Sequence, residues 1–377
     1  MKLKTTAALT ILALTSSAYA ANTGGFATTD GGNVSGAKSF TAKSHTEINK
    51  IIADATKDVK SGAYPLIITY TGNEDAAIAK IIKDSTPDSS GKCPAPHWDD
   101  AYRSVEIKGF TKGITIIGAK GSSGNFGIPI IDSKNVIIRN MKLGALGGAA
   151  KDADLIRIDS SSNIWIDHNE LFSSNHECKG SPDGDLTFEG ALDIKKDSHN
   201  ITVSYNYFHD HKKVGLDGAA NTDIAGGREI TYHHNVYENV NARLPLQRGG
   251  WTHEYNNLYS NVTTSGIAVR AGGYALIEKN YFEKAKDPVI CLDTSGCGDW
   301  DLRSNNLTSA ADNSKYSITW SKVSGNQKSA ESWKTTKAFP KTLGYSYSPV
   351  TAACVKAKLK NVAGVGKDGA QLAASGC

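Results

Sequence analysis

The stretch Val240-Asn-Ala-Arg243-Leu-Pro245-Leu-Gln-Arg248-Gly-Gly250 sets two arginines five residues apart, with a proline between them and two glycines behind. Proline gives no N–H to a sheet ladder, so a strand-like run that contains one suits the rim of a groove better than a core. Two arginines alone are most often solvated surface groups. Their weight comes from what the rest of the chain sets beside them. Four carboxylates, Asp152, Asp154, Glu189 and Asp193, precede a cationic series of Lys195, Lys213, Arg243, Arg248 and Arg270. Carboxylates without histidine or cysteine offer only oxygen, which suits calcium better than zinc or copper, although the spacing is not that of an EF-hand loop. A lone aspartate is usually a turn or cap residue. Four brought together without a cation would repel one another.

For residues so far apart to meet, the chain has to return repeatedly to one face. A β-rich run, an asparagine and an aromatic or apolar pair recur, as in Asn163-Ile-Trp-Ile-Asp-His-Asn169-Glu-Leu-Phe172 and Ile230-Thr-Tyr-His-His-Asn235-Val-Tyr237. The closing asparagines, Asn140, Asn169, Asn206, Asn235, Asn257, Asn280 and Asn306, are separated by 29, 37, 29, 22, 23 and 26 residues. A minimum in the low twenties stretched by insertions reads as a solenoid with one turn per repeat. The expected architecture is an all-β parallel β-helix; leucine-rich repeats are the alternative, but their leucine spacing is absent. Asparagine tolerates a left-handed turn, and stacked asparagines can hydrogen-bond from coil to coil.

Strand side chains alternate, so parity assigns faces. Leu192 and Ile194 point in while Glu189, Asp193 and Lys195 point out; Val214 and Leu216 point in while Lys213 points out. Arg243 and Arg270 are likewise outward on their strands. Coils lie ~4.8 Å apart, so these groups would line one outer face. Asp154 fits only if the chain bends before Leu155. Arg248 is out of phase with Arg243, and the glycines after it end its strand.

The ends need covers. Ser44-His-Thr-Glu47 resembles a capping box, and Ile48, Ile51, Ile52 and Ala55 follow at helical spacing, which predicts an amphipathic helix closing the N-terminal end of the coil. The tail after Trp320 is irregular and is expected to pack along the outside. Residues 1–20 carry Lys2 and Lys4, an apolar run from Ala7 to Leu14 and the small-residue site Ala18-Tyr19-Ala20, the pattern of a secretory leader. The expectation is a leader over 1–20 and a single catalytic domain over 21–377. Its removal takes two lysines and no acids, lowering the formal charge from +4 to +2. So weak a global field favours neither nucleic acid nor a membrane surface, and an anionic substrate needs a local cationic patch. No other segment is long and apolar enough to span a bilayer. Six cysteines allow fifteen connectivities. The short loop favours Cys291–Cys297, the tail holds Cys354 and Cys377, and Cys93 and Cys178 remain.

The residues also carry a family resemblance. Trp165-Ile-Asp167-His168 matches a W-x-D-H element, and Ala191-Leu-Asp193-Ile-Lys195 through Ser204 to Phe208 matches a second signature, with Lys196 where glycine is usual. Val240, Arg243, Pro245, Arg248, Gly250, His253 and Asn257 match a third. On these motifs the chain resembles the secreted bacterial pectate lyases of polysaccharide lyase family 1, close to those of soft-rot plant pathogens. The resemblance implies a right-handed parallel β-helix, acting as a monomer on the de-esterified polygalacturonate of plant cell walls. It implies endo cleavage by β-elimination with calcium held by Asp152, Asp154, Glu189 and Asp193. Arg243 would be the base, assisted by Lys213 and Arg248, while Lys195 and Arg270 hold uronates; Asp183 and Asp185 are further candidates for calcium. Calcium and neighbouring cations would disfavour the charge on the base, so activity is expected to rise into alkaline pH and to vanish with chelator. A pectin lyase would lack the carboxylate cluster, and a polygalacturonase would carry a G-H-G motif that is absent. A non-catalytic β-helix adhesin would have no need of acidic and cationic rows side by side.

Overall fold

The computed structural model describes residues 22–98, 100–147, 153–181, 187–225 and 227–377; the leader, Asp152, Asp183 and Asp185 lie outside them. Among the described residues, strands form three sheets of ten, nine and six. From Lys134 to Cys291 each coil contributes one strand to each sheet in turn, and the strands pair in parallel apart from the antiparallel contact of Lys328–Ser329 with Val289–Cys291. This is the parallel β-helix expected from the repeat.

Stacking identical apolar positions builds the interior. Ile116, Ile138, Ile166 and Val203 stand in register on successive strands of the ten-stranded sheet, all fully buried. Burying each such side chain contributes about 1.5–3 kcal/mol. On the six-stranded sheet, Phe208, Tyr237, Tyr259 and Phe282 form an internal stack with ring centroids 5.0, 4.9 and 4.6 Å apart.

The asparagine ladder is present, with one change of membership. Asn169, Asn206, Asn235, Asn257 and Asn280 each donate from Nδ2 to the next asparagine's Oδ1, at 2.9, 3.0, 3.0, 3.1 and 3.3 Å. The last rung is Asn305; the expected Asn306 instead bonds the Phe282 backbone. The first rung is also displaced, because Met141 N–H, one residue after Asn140, donates to Asn169. The left-handed turn belongs to the residue before each rung: His168, Tyr205, His234, Asn256 and Lys279 have φ between 50° and 54°. Five non-glycine residues in that region are unfavourable in isolation. The buried amide bonds beside them oppose that cost.

Helix His45–Thr56 caps the N-terminal end, its Glu47 N–H donating to the Ser44 side chain and Ile48, Ile52 and Ala55 joining the core. A second helix, Asp75–Asp84, was not foreseen; Ile78 and Ile81 pack with Phe172 and Phe188. The tail lies outside the coil, where Val350, Val355, Leu359 and Leu372 cover Tyr205, Val236 and Leu258. Disulfides join Cys93–Cys178, Cys291–Cys297 and Cys354–Cys377. No helix among the described residues is long and apolar enough to cross a membrane.

Candidate active site

A bend does fall at Leu155, ahead of strand Ile156–Asp159. It sends Ile156 and Ile158 into the core while the Asp154 carboxylate accepts the Gly190 N–H at 3.0 Å and the Lys195 ammonium at 3.3 Å. Lys195 also pairs with Asp193 at 3.1 Å, so this cation sits among the aspartates before any substrate arrives. Gly190 is required here: a Cβ would lie 2.7 Å from Asp193 Oδ1 and 2.8 Å from Asp154 Oδ1. The two carboxylates therefore converge over one glycine. Burial and the Asp193 charge hold Asp154 well above the usual carboxylate range, with Glu189 adding to the effect. Burial likewise raises Asp193, against the pull of Lys195 and Arg243. Asp193 Oδ1 is buried without a hydrogen-bond partner. Crowded, desolvated oxygens with an orphaned lone pair fit a hard cation. Among the described residues no group of three or more histidine, cysteine, aspartate or glutamate side chains forms a metal cage, and Asp152 lies outside them.

The cations follow on successive coils. Lys213 ends strand Tyr207–Lys213 and stands in register with Ala242, the residue before Arg243. Arg243 is not a strand residue. It occupies the corner between strands Val236–Ala242 and Leu246–Arg248, with φ +67° and a cis Leu244–Pro245 bond behind it. Strand parity therefore does not apply across the corner. Arg248 and Arg270 end neighbouring strands in register. Arg243, Arg248 and Arg270 together line a cavity of about 300 Å³. Desolvation lowers the pKa of Arg248, and Arg270 and Arg243 lower it further. Desolvation and Arg243 also lower Arg270, opposed by Asp293.

One facing assignment is overturned. Leu216 is in register with Asp193 and Leu246, and with Leu246 and Ala268 forms an apolar patch on the outer face, not the core. Its neighbour Asp217 points inward instead, fully buried, accepting the Tyr232 hydroxyl at 2.7 Å. The cause is the corner ahead of it: Val214 O receives both Ala191 and Leu192 N–H groups, and Val214 and Gly215 are successive inward residues that reset the alternation. Sequence parity had no signal for that offset. It also missed Asn221 and Asp293, loop residues that hold the arginines: Arg248 Nε donates to Asn221 Oδ1 at 2.9 Å, and Arg270 lies 3.9 Å from Asp293.

The W-x-D-H element lies elsewhere, on the outer face of the ten-stranded sheet. Asp167 pairs there with Arg139 and His168 and accepts from Ser204, whose oxygen takes the Trp165 indole N–H. It lines a cavity of about 780 Å³ that also takes in Asn22, Thr23 and Gly24 and the tail residues Leu372, Ala373 and Ala374, larger than the arginine cavity but holding none of the expected site residues. Lys196, standing in place of the usual glycine, takes φ +56°.

Carboxylates facing arginines along one sheet place the chain in a class: parallel β-helix proteins with a charged cleft on the flank of the coil. Within it, the pectate lyase family pattern matches residues 1–368. The chain belongs to the pectate lyase family of polysaccharide lyases. It is 56% identical over 381 aligned residues to pectate lyase 2 of Pectobacterium carotovorum, covering 100% of this chain and 99% of that one. The structure of pectate lyase C from Erwinia chrysanthemi with Ca2+ superposes with a TM-score of 0.87 at 54% identity, over 94% of this chain and 99% of that one. A pectate lyase C variant in complex with pentagalacturonic acid superposes with the same score, identity and coverage.

Proposed function

We propose that the protein is a secreted, endo-acting pectate lyase that cleaves de-esterified polygalacturonate by calcium-dependent β-elimination, with Arg243 as the base. The observation that carries this reading is the convergence of Arg243, Arg248 and Arg270 on one cavity beside the Asp154–Lys195–Asp193 cluster. Relatives of high identity bind pentagalacturonic acid or were determined with Ca2+, which favours the same substrate and cation here. The leader and three disulfides favour an oxidising compartment. A site on the flank of the coil admits the middle of a polymer, which favours internal cleavage.

Asp154, Glu189 and Asp193, with Asp152, would hold calcium; bound there, it supplies positive charge to the uronate carboxylate beside the reacting carbon. Arg243 takes the proton from carbon 5. The electrons of that C–H bond form the new double bond to carbon 4, and the glycosidic oxygen leaves with its bonding pair and takes a proton from solvent. Lys213 and Arg248 face the developing negative charge, and Arg270 holds a neighbouring uronate. Desolvation and neighbouring arginines lower the pKa values of Arg248 and Arg270, so both give up positive charge more readily than a solvated guanidinium. Lys195 reaches a uronate by exchanging one of its aspartate partners. Ultraviolet absorbance of the unsaturated product, followed on polygalacturonate with calcium and with EDTA, tests the proposal. Rising absorbance that stops in EDTA is expected. New reducing ends without absorbance would mean hydrolysis and would overturn it.

A further inference from the structure

The far end of the arginine row is closed by two loops that the catalytic assignment does not use. One runs from Gly218 after strand Gly215–Asp217; the other lies inside the Cys291–Cys297 disulfide. Asn221 on the first joins them. Its Oδ1 accepts Arg248 Nε at 2.9 Å, and its Nδ2 donates to Asp293 Oδ2 at 3.0 Å and to Ser295 Oγ at 2.8 Å. A donor on one side and acceptors on the other fix the amide's orientation. Asp293 Oδ1 takes the Ser295 N–H and hydroxyl at 2.9 and 2.6 Å, leaving Oδ2 toward Asn221 and Arg270. The disulfide loop is tied back to Arg270's own coil, where Ala271 N–H donates to Gly296 O at 2.9 Å. Asp293 is thus held at the arginine it faces.

At 3.9 Å from Arg270, the Asp293 carboxylate offers charge without a close hydrogen bond. Arg270 Nε is meanwhile buried with no acceptor. The arginine is poised to take a better-placed carboxylate, yet part of its charge is already answered. We propose that Asp293 is a specificity-determining residue of this cleft, a built-in carboxylate that tempers Arg270's preference for a charged uronate over a neutral methyl-esterified one. A charged unit competes with Asp293 for the guanidinium, whereas a neutral ester leaves the resident pair in place. Without Asp293, Arg270 would bind any carboxylate more strongly but gain little from an ester, so discrimination against esterified polymer would sharpen. Through Asn221, the same carboxylate also keeps Arg248 beside Arg270 although the two cations repel.

The inference rests on the pectate reading of the cleft, and its test separates the two. Asp293→Asn removes the charge and keeps one acceptor oxygen, enough for Asn221 or for the Ser295 N–H but not for both; Asp293→Glu restores the charge. Affinity for polygalacturonate and for a partially methyl-esterified polymer is measured by titration at equilibrium, and kcat and KM are measured on both. D293N is expected to bind the de-esterified polymer about two- to fivefold more tightly, with a steeper salt dependence and little change on the esterified one. D293E is expected to return the ratio toward wild type. An unchanged ratio in D293N, or an equal loss on both polymers, overturns the inference. Wild-type protein that forms no unsaturated product would overturn the elimination reading instead, and the equilibrium titrations would still decide the role of Asp293.

Discussion

Asp193→Asn isolates the contribution of the acidic pocket without relying on turnover. Asp154 and Asp193 have pKa values raised by burial, so each binds its proton more tightly in the folded state than in the unfolded chain. Stability from these groups is present below the unfolded carboxylate pKa and is lost as pH rises through the folded values. At neutral pH both are a liability that a bound cation would relieve. Calcium at a hundredfold its Kd would stabilise the folded state by about 2.7 kcal/mol. With an unfolding entropy of about 2.1 cal/mol/K per residue over roughly 350 residues, that is a rise in Tm of about 4 °C. Asparagine keeps the volume and leaves Lys195 its Asp154 partner, but removes the charge beside the orphaned Oδ1. In D193N the calcium-induced rise should fall below about 1 °C. Its Tm in EDTA should equal or exceed that of wild type, because a like-charge contact is gone. Scanning calorimetry of both proteins in EDTA and in calcium provides the measurement. A rise of the same size in D193N, or none in wild type, would refute the assignment.

Two further outcomes follow from the same geometry. Arg243→Lys retains a cation at the corner but not the guanidine, so kcat on polygalacturonate should fall about 10²–10⁴-fold while binding changes little; a variant keeping a tenth of the wild-type rate would point to another base. Asp217 is pushed up to about 7 by burial, so its contribution to stability is present below pH 4 and is lost as pH rises toward 7. Asp217→Asn should therefore gain on wild type as the pH is raised from 4 to 8, by up to about 4 kcal/mol; urea titrations that show the same difference at both pH values would contradict this.

The repeat was legible because each coil must satisfy the same interior. Asparagines at a quasi-fixed spacing reported one amide ladder, and alternation on strands Leu192–Lys195 and Ile267–Arg270 reported faces correctly. Parity failed only where the chain leaves a strand. Asp154 needed a bend, Leu216 and Asp217 were exchanged by two successive inward residues, and Arg243 sits in no strand at all. Asn305 and Asn306 are adjacent, so spacing alone could not choose between them; the hydrogen bonds do. Asn221 and Asp293 were invisible for a different reason. Their partners are arginines 27 and 23 residues away, reached across loops that carry no periodicity.

The departures from parity fall where the cleft is made. Strand registers set Arg248 directly beside Arg270 and put Asp193 in the adjoining row of Leu216, Leu246 and Ala268, and backbone hydrogen bonds hold that spacing. A row so rigid can grip a polymer with repeating carboxylates, but it cannot bring one group closer to the reacting carbon than the next. A corner can. The left-handed Arg243 ends the six-stranded sheet's strand and starts toward the nine-stranded one, so its side chain enters the cavity from the side while Arg248 and Arg270 line it from the sheet. The apolar patch of Leu216, Leu246 and Ala268 lies along the same outer row as Asp193 and offers no hydrogen bonds to compete for the guanidinium groups. Division of labour between ladder and corner gives a physical reason for the proposed roles, in which Arg243 acts on a proton while Arg248 and Arg270 hold charge.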